Sequence, residues 1–246
     1  MQYNIKGDVI QTLDIRLSAG EAVFTELGGM AWMTDGIEMK TSGRGGIGKM
    51  LGRAFSGESL LLTTYTAESD GAMIAFTPEY MGNIIPVELG AGESIIAQRD
   101  AFMCGTDGVD VSIHFKRKIG AGLFGGEGFI LQKCTGPGTV FVEMYGEVVD
   151  YTLKPGQRLQ IDPGHIAMYE PTVDYDIKMV KGFRNIFLGG EGLFLATLTG
   201  PGKVWLQTQP LLNLAMAVYD VLPKDNDDDN DSGSDLAGNI IKNLLD

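Results

Sequence analysis

Glutamate recurs at three matching places in the chain, and paired carboxylates are a common basis for acid–base catalysis. Each glutamate lies in a turn with glycine and is followed by a threonine eight positions later. They are Glu58, Glu127 and Glu191. A catalytic carboxylate pair needs two different surroundings that separate the two pKa values. Because three copies of one turn provide similar surroundings, we interpret these glutamates as structural and predict no catalytic residue.

The two histidines and two cysteines are not spaced as metal ligands. A metal site of the cupin type needs a His-x-His pair with a further histidine and a glutamate, whereas His114 and His165 are far apart in the sequence. Cys104 and Cys134 each lie in an apolar stretch without a CxxC spacing, which favours two buried free thiols over a disulfide. We therefore expect no metal, no cofactor and no enzymatic activity.

One glycine-rich stretch, residues 43–50, matches most of the phosphate-binding pattern GxxxxGK[ST]. Its last position is Met50, which has no hydroxyl group for a magnesium ion. No strand–helix unit of the kind that carries this loop is indicated around it. The sequence therefore does not favour nucleotide binding.

The balance of charge is strongly acidic, with a formal net charge of −13. Such a molecule repels nucleic acid unless its bases are gathered on one face, so we predict no nucleic-acid partner. The chain starts without the apolar run of a signal peptide, and no apolar stretch has the length of a membrane-spanning helix. These features predict a cytoplasmic protein.

Two sequence landmarks occur three times in the same order. The first is a Leu-x-x-Gly turn whose glycines, Gly20, Gly92 and Gly156, are 72 and 64 residues apart. The second is the Gly-Glu turn, which is followed in the later copies by Thr-Gly-Pro-Gly. The landmarks define repeats at about residues 10–80, 81–148 and 149–208, each of about 65 residues.

Short runs of β-branched and aromatic residues fill each repeat, separated by glycine, proline, aspartate or asparagine at intervals of about ten residues. This pattern predicts an all-β fold with antiparallel strands. We expect the three repeats to form one domain, residues 1–223, as a sandwich with a pseudo-threefold arrangement. Strands are predicted, for example, at 60–65, 129–133, 140–144 and 204–207.

The C-terminal part of the chain departs from this pattern. Residues 210–222 have apolar positions at helical spacing between two prolines, which predicts a short helix. Residues 224–235 form an acidic linker, and 236–246 have one apolar stripe that predicts an amphipathic helix. The sequence leaves open whether this last helix docks on its own domain or on a partner.

Basic residues are concentrated in three equivalent places, which we call the basic–apolar segments because apolar residues are interleaved with the bases. Their bases are Lys40, Arg44, Lys49 and Arg53; Lys116, Arg117 and Lys118; and Lys178, Lys181 and Arg184. A basic surface with exposed apolar groups is suited to an anionic membrane. The alternative is that the apolar residues belong to the core and the bases form a solvated rim.

The repeated Gly-Glu turns, the Thr-Gly-Pro-Gly elements before Val140 and Val204, and the Trp-Leu-Gln-Thr run at 205–208 resemble the mitochondrial biogenesis AIM-type family (altered inheritance of mitochondria). The resemblance extends over about residues 3–222. It implies a double-stranded β-helix-like sandwich similar in fold to the tryptophan RNA-binding attenuation protein. It also implies a loose association with membrane organisation, and it supplies no catalytic motif.

Together these observations predict a non-enzymatic binding or assembly protein. Its partner is expected to be an anionic membrane surface or a membrane-associated protein, and the basic–apolar segments are its expected binding surface. Two alternatives remain. One is a small-molecule binder or enzyme with a pocket between repeats, and the other is a structural homo-oligomer.

Overall fold

The fold was obtained as a computed structural model, which describes residues 1–26, 29–42, 62–117, 128–179 and 194–221. Within these ranges the chain forms nineteen β-strands and one α-helix. Almost all strand neighbours run antiparallel. The all-β class predicted from the sequence is confirmed.

The strands fall into three consecutive groups with the same internal order. The first strand, β1 (Gln2–Lys6), precedes the groups. Repeat 1 contains β2 (Thr12–Leu17), β3 (Ala22–Glu26), β4 (Met30–Met33), β5 (Ile37–Ser42), β6 (Leu62–Ala67) and β7 (Ala72–Phe76). Repeat 2 contains β8 (Gly82–Leu89), β9 (Ser94–Gln98), β10 (Phe102–Thr106), β11 (Asp110–Arg117), β12 (Phe129–Thr135) and β13 (Gly138–Tyr145). Repeat 3 contains β14 (Val148–Leu153), β15 (Arg158–Ile161), β16 (Ile166–Tyr169), β17 (Asp174–Met179), β18 (Phe194–Thr199) and β19 (Gly202–Gln207), and helix α1 (Leu211–Val221) follows it.

Strand pairing is the same in each repeat. The first and third strands both pair with the sixth, and the second and fourth both pair with the fifth. A shift of register also occurs at the same place in the third strand of every repeat, between Met30 and Trp32, Phe102 and Cys104, and Ile166 and Met168. Each repeat therefore contributes two three-stranded units.

The strands assemble into four sheets, and two of these combine adjacent repeats. The first sheet has the order β1-β2-β7-β4, and the fourth has β15-β18-β17. The second sheet, β5-β6-β3-β10-β13-β8, joins repeats 1 and 2 through β3 and β10. The third, β11-β12-β9-β16-β19-β14, joins repeats 2 and 3 through β9 and β16.

Three hydrophobic cores lie between consecutive sheets. Leu13 and Phe76 of the first sheet pack with Phe141 of the second. Another core joins the second and third sheets, and the last joins the third and fourth sheets. Burying apolar surface contributes about 25 cal/mol per Å², so these layers supply the main stabilisation of the fold.

In repeats 2 and 3 the Leu-x-x-Gly turn is in contact with the Thr-Gly-Pro-Gly element that follows the second landmark. In repeat 2 the backbone N–H of Gly136 donates to the carbonyl of Glu93 at 3.0 Å, and in repeat 3 Gly200 donates to Gln157 at 2.9 Å. The Glu93 side chain also accepts from the backbone N–H of Gly90 at 2.8 Å, which closes its own turn. The landmarks recur because each repeat needs the same pair of hydrogen-bonded turns.

Other predictions can be compared with the structure directly. Helix α1 lies inside the predicted range 210–222. The acidic linker and the amphipathic helix at 236–246 lie outside the described residues. The pseudo-threefold arrangement and the likeness to a double-stranded β-helix stay predictions, since pairing between repeats is present at two junctions of the described chain.

Candidate functional site

One lysine from each basic–apolar segment lies on the fourth strand of its repeat. These lysines are Lys40 in β5, Lys116 in β11 and Lys178 in β17, and all three side chains are exposed. The backbone of Arg117 ends β11. The other bases, Arg44, Lys49, Arg53, Lys118, Lys181 and Arg184, lie outside the described residues, as do Glu58, Glu127 and Glu191. The structure therefore places one base of each segment on an equivalent edge strand.

Two of these lysines have an acidic neighbour on the same strand. Lys40 Nζ lies 2.8 Å from Glu38 Oε2, and Lys178 Nζ lies 2.8 Å from Asp176 Oδ2. In a β-strand, residues two apart share one face, which brings each pair together. Since both pairs are exposed to solvent, each contributes little to stability. They do reduce the net positive charge of the described part of segments one and three.

The second segment has a more basic surrounding. Lys116 shares β11 with His114, and Lys133 projects from the adjacent strand β12. Burial, and to a smaller degree the positive charge of Lys133, lower the pKa of His114. The register sets Lys116 opposite Ile130 and Lys133 opposite Ser112, so the two lysines project from opposite faces of this edge of the sheet.

Exposed methionines are the sequence neighbours of two of the lysines. Met39 is 55% exposed next to Lys40, and Met179 is 45% exposed next to Lys178. In β11 the residue before Lys116 is Phe115, which instead packs edge-on against Tyr175 of β17 with ring centroids 5.0 Å apart. The apolar side chain next to the lysine is thus exposed in repeats 1 and 3 and partly buried in repeat 2, and the apolar residues interleaved with the other bases lie outside the described residues.

A partly buried polar cluster at the junction of repeats 1 and 2 was not anticipated from the sequence. Glu26 accepts hydrogen bonds from Arg99 Nε at 3.1 Å and from Gln132 Nε2 at 2.6 Å. Gln98 Nε2 donates to Asp100 Oδ2 at 2.9 Å. Glu26 comes from β3, Gln132 from β12, and Arg99 and Asp100 from the 3-10 turn after β9, so the cluster connects the second and third sheets. Their network favours one register at this junction.

Glu143 is a buried carboxyl close to this cluster. It is 7% exposed, and its Oε2 accepts from the backbone N–H of Glu79 at 3.1 Å. Burial, with smaller contributions from Glu79 and Asp100, raises its pKa to about 8. The signal in the sequence is one acid within the apolar run of β13. At neutral pH this carboxyl group holds a proton, and we attribute its raised pKa to burial and assign it no catalytic role.

The histidines and cysteines do not converge on a common centre. His165 Nδ1 lies 2.8 Å from the carbonyl oxygen of Gln207 in β19, whereas His114 lies on β11, the far edge strand of the same sheet. Cys104 and Cys134 are both buried free thiols, and burial raises the pKa of each. Within the described ranges, no three His, Cys, Asp or Glu side chains are grouped so that they would hold a metal ion. Helix α1 is too short to cross a bilayer, and the described residues contain no helix that would.

Comparison with known proteins gives a consistent set of similarities. The family model described as mitochondrial biogenesis AIM24 matches residues 3–209. An uncharacterised protein of Streptococcus pyogenes serotype M6 is 31% identical over 219 residues, which cover 86% of each chain. The crystal structure of a Streptococcus pyogenes protein has a TM-score of 0.71 at 25% identity and covers 90% of this chain and 99% of that one.

Proposed function

The chain belongs to the mitochondrial biogenesis AIM24 family, and on that premise we propose that it is a non-enzymatic binding or assembly protein. It acts at an anionic membrane surface through its three basic–apolar segments. The observation that carries this proposal is that Lys40, Lys116 and Lys178 are each exposed on the fourth strand of their repeat, which is an edge strand of its sheet.

Basic and apolar side chains contribute to membrane binding in different ways. Bases near an anionic leaflet each contribute about 1 kcal/mol of attraction, which salt screens. The apolar residues interleaved with the bases of the segments then supply apolar contact at the interface. Since Glu38 and Asp176 offset two of the lysines, the second segment is the best place to test the proposal.

The test is co-sedimentation with vesicles that contain phosphatidylserine and with neutral vesicles, across a salt series. We expect binding to the anionic vesicles alone, with affinity that falls as salt rises. Replacing Lys116, Arg117 and Lys118 with alanine removes three bases and should lower that affinity on the order of a hundredfold.

A matched variant controls for the loss of net charge. Replacing Lys6, Arg16 and Lys154, all exposed and outside the segments, with alanine removes the same number of bases. We expect this variant to bind as the wild type does. Equal losses in the two triple variants, or no binding by the wild type, would contradict a role for the basic–apolar segments.

A further inference from the structure

Two junctions inside the chain are built in the same way. At each, the second strand of one repeat pairs with the third strand of the next repeat. Phe24 of β3 lies opposite Gly105 of β10, and Ile96 of β9 lies opposite Tyr169 of β16. Both junctions bury the strands that form them, and Phe24, Ile96 and Tyr169 are almost completely inaccessible.

The third pairing of this kind would join β15 of repeat 3 to β4 of repeat 1. In the described part of the chain these two strands stand at sheet edges and are not paired with each other. Their exposure differs accordingly. Trp32 is 49% exposed, whereas its equivalents Cys104 and Met168 are fully buried, and Met33 is 38% exposed, whereas its equivalent Tyr169 is buried. Among the described residues, one copy of each half of the junction is therefore not paired with the other half.

Strand β4 also lacks the features that usually protect a sheet edge. Proteins prevent edge-to-edge pairing with charged residues or proline. Each of the other described edge strands contains a charged residue, and β8 also contains Pro86. The sequence of β4 is Met-Ala-Trp-Met, without charge or proline. An apolar, unprotected edge is suited to pairing with another strand.

The backbone N–H groups of β4 and β15 that point away from their present partner strands define the register in which these two strands could pair. Thr34 N–H donates to the carbonyl of Met73, and Gly200 N–H donates to that of Gln157. Hydrogen-bonded pairs alternate in antiparallel ladders, so the backbone N–H groups of Met33 and Gln160 point away from their present partners. Met33 is equivalent to Gly105 and Tyr169, and Gln160 is equivalent to Phe24 and Ile96.

We propose that β4 of one copy of this chain pairs with β15 of a second copy, with Met33 opposite the second copy's Gln160. The pairing repeats between chains the junction that the chain makes twice within itself, and it goes beyond the proposed membrane function. Gln160 stands where the internal junctions have Phe24 and Ile96, so less apolar surface is buried and the contact is reversible. Because the two halves differ, the association is head-to-tail.

Proline substitutions test the proposal without breaking the existing ladders. Met33→Pro and Gln160→Pro each remove an N–H that points to the free edge. By size-exclusion with light scattering, the wild type should associate at high concentration, and each variant should have the mass of one chain. An equimolar mixture of the two variants should form a dimer and nothing larger, since each retains one intact half of the junction.

The matched control is Thr152→Pro, which removes an outward N–H from β14, an edge strand with no role in the proposed contact. It should associate as the wild type does. Circular dichroism checks folding, and where a proline variant loses its strand signal, Trp32→Lys or Gln160→Lys takes its place.

Three results would overturn the proposal. A wild type with the mass of one chain at every concentration would show that the edges are not joined to a second copy. Folded variants that still associate would place the contact elsewhere. Folded variants that stay monomeric when mixed would exclude the head-to-tail pairing.

Discussion

Glu143 shows how one position differs between repeats that share a pairing pattern. It follows the first residue of β13 by five positions, and Gln207 does the same in β19. Gln207 accepts from Tyr145 N–H at 3.0 Å and donates to the carbonyl of Gly164 at 2.8 Å. A neutral amide at this position thus makes both hydrogen bonds, one as acceptor and one as donor. The raised pKa of Glu143 is consistent with a similar need for a neutral group.

Stability should therefore fall as pH rises towards 8. The folded state keeps a proton on Glu143 with a pKa of about 8, whereas the unfolded chain releases it near the ordinary glutamate pKa of 4.5. The stabilisation from this proton is complete below the unfolded pKa and is lost as pH rises through the folded pKa. Between these values the group lowers the free energy of unfolding by about 1.4 kcal/mol per pH unit.

Denaturant unfolding of the wild type and Glu143→Gln at several pH values between 4.5 and 8 measures this contribution. In Glu143→Gln, the free energy of unfolding should lack this part of the fall with pH. Near pH 8 the variant should therefore be more stable than the wild type. Glu147→Gln, an exposed position in the same region, is the control and should retain the wild-type slope. Equal slopes for the wild type and Glu143→Gln would contradict a buried proton.

The element that carries the sequence repeat is a pair of adjacent turns. Gly136 lies against the carbonyl oxygens of Leu89 and Gly90, and Gly200 lies in the same way against those of Leu153 and Lys154. A Cβ at Gly136 would approach the Leu89 oxygen to 2.5 Å. Glycine is therefore required at this place by backbone contact between two turns that are distant in sequence.

Gly136→Ala should destabilise the protein by about 1–3 kcal/mol, the usual effect of overpacking against a backbone that has little freedom to move. Gly90→Ala is a suitable comparison because its added Cβ would meet the end of the Glu93 side chain, which can turn away. Thermal or denaturant unfolding should show a clear loss for the first variant and a small one for the second. Equal losses would mean that the contact between the turns is not the cause.

These turns were visible in the sequence as landmarks, but their contact was not. Glycine, proline and the turn glutamate have local conformational reasons that the sequence displays. The spacing of the apolar runs was also sufficient to predict strands in the right places. The polar cluster of Glu26, Arg99 and Gln132 could not be predicted, because it depends on which distant strands become neighbours.

At the scale of the whole molecule, the second and third sheets each combine strands of two repeats. A repeat that unfolded alone would expose the edge and the core surface of its neighbour. We therefore expect one cooperative transition for the described body of the chain, although it contains three similar units.

Its two tryptophans test this expectation, since Trp32 lies in repeat 1 and Trp205 in repeat 3. Each single variant keeps one tryptophan as a fluorescent reporter. Trp32→Phe keeps the reporter in repeat 3, and Trp205→Phe keeps the one in repeat 1. Their denaturant midpoints should agree with the circular dichroism of the same variant. Fluorescence midpoints that differ from the circular dichroism midpoints would mean that the end repeats unfold separately.

The sequence by itself determined the all-β class, the repeated turns, the short helix and the family, because strand alternation, turn chemistry and helical spacing are local properties of the chain. The tertiary structure decided which strands meet. Long-range pairing placed Lys40, Lys116 and Lys178 on equivalent edge strands and buried Glu143 beside Glu79. It also left β4 and β15 at sheet edges, since every strand has two sides and only the folded chain shows which sides are occupied.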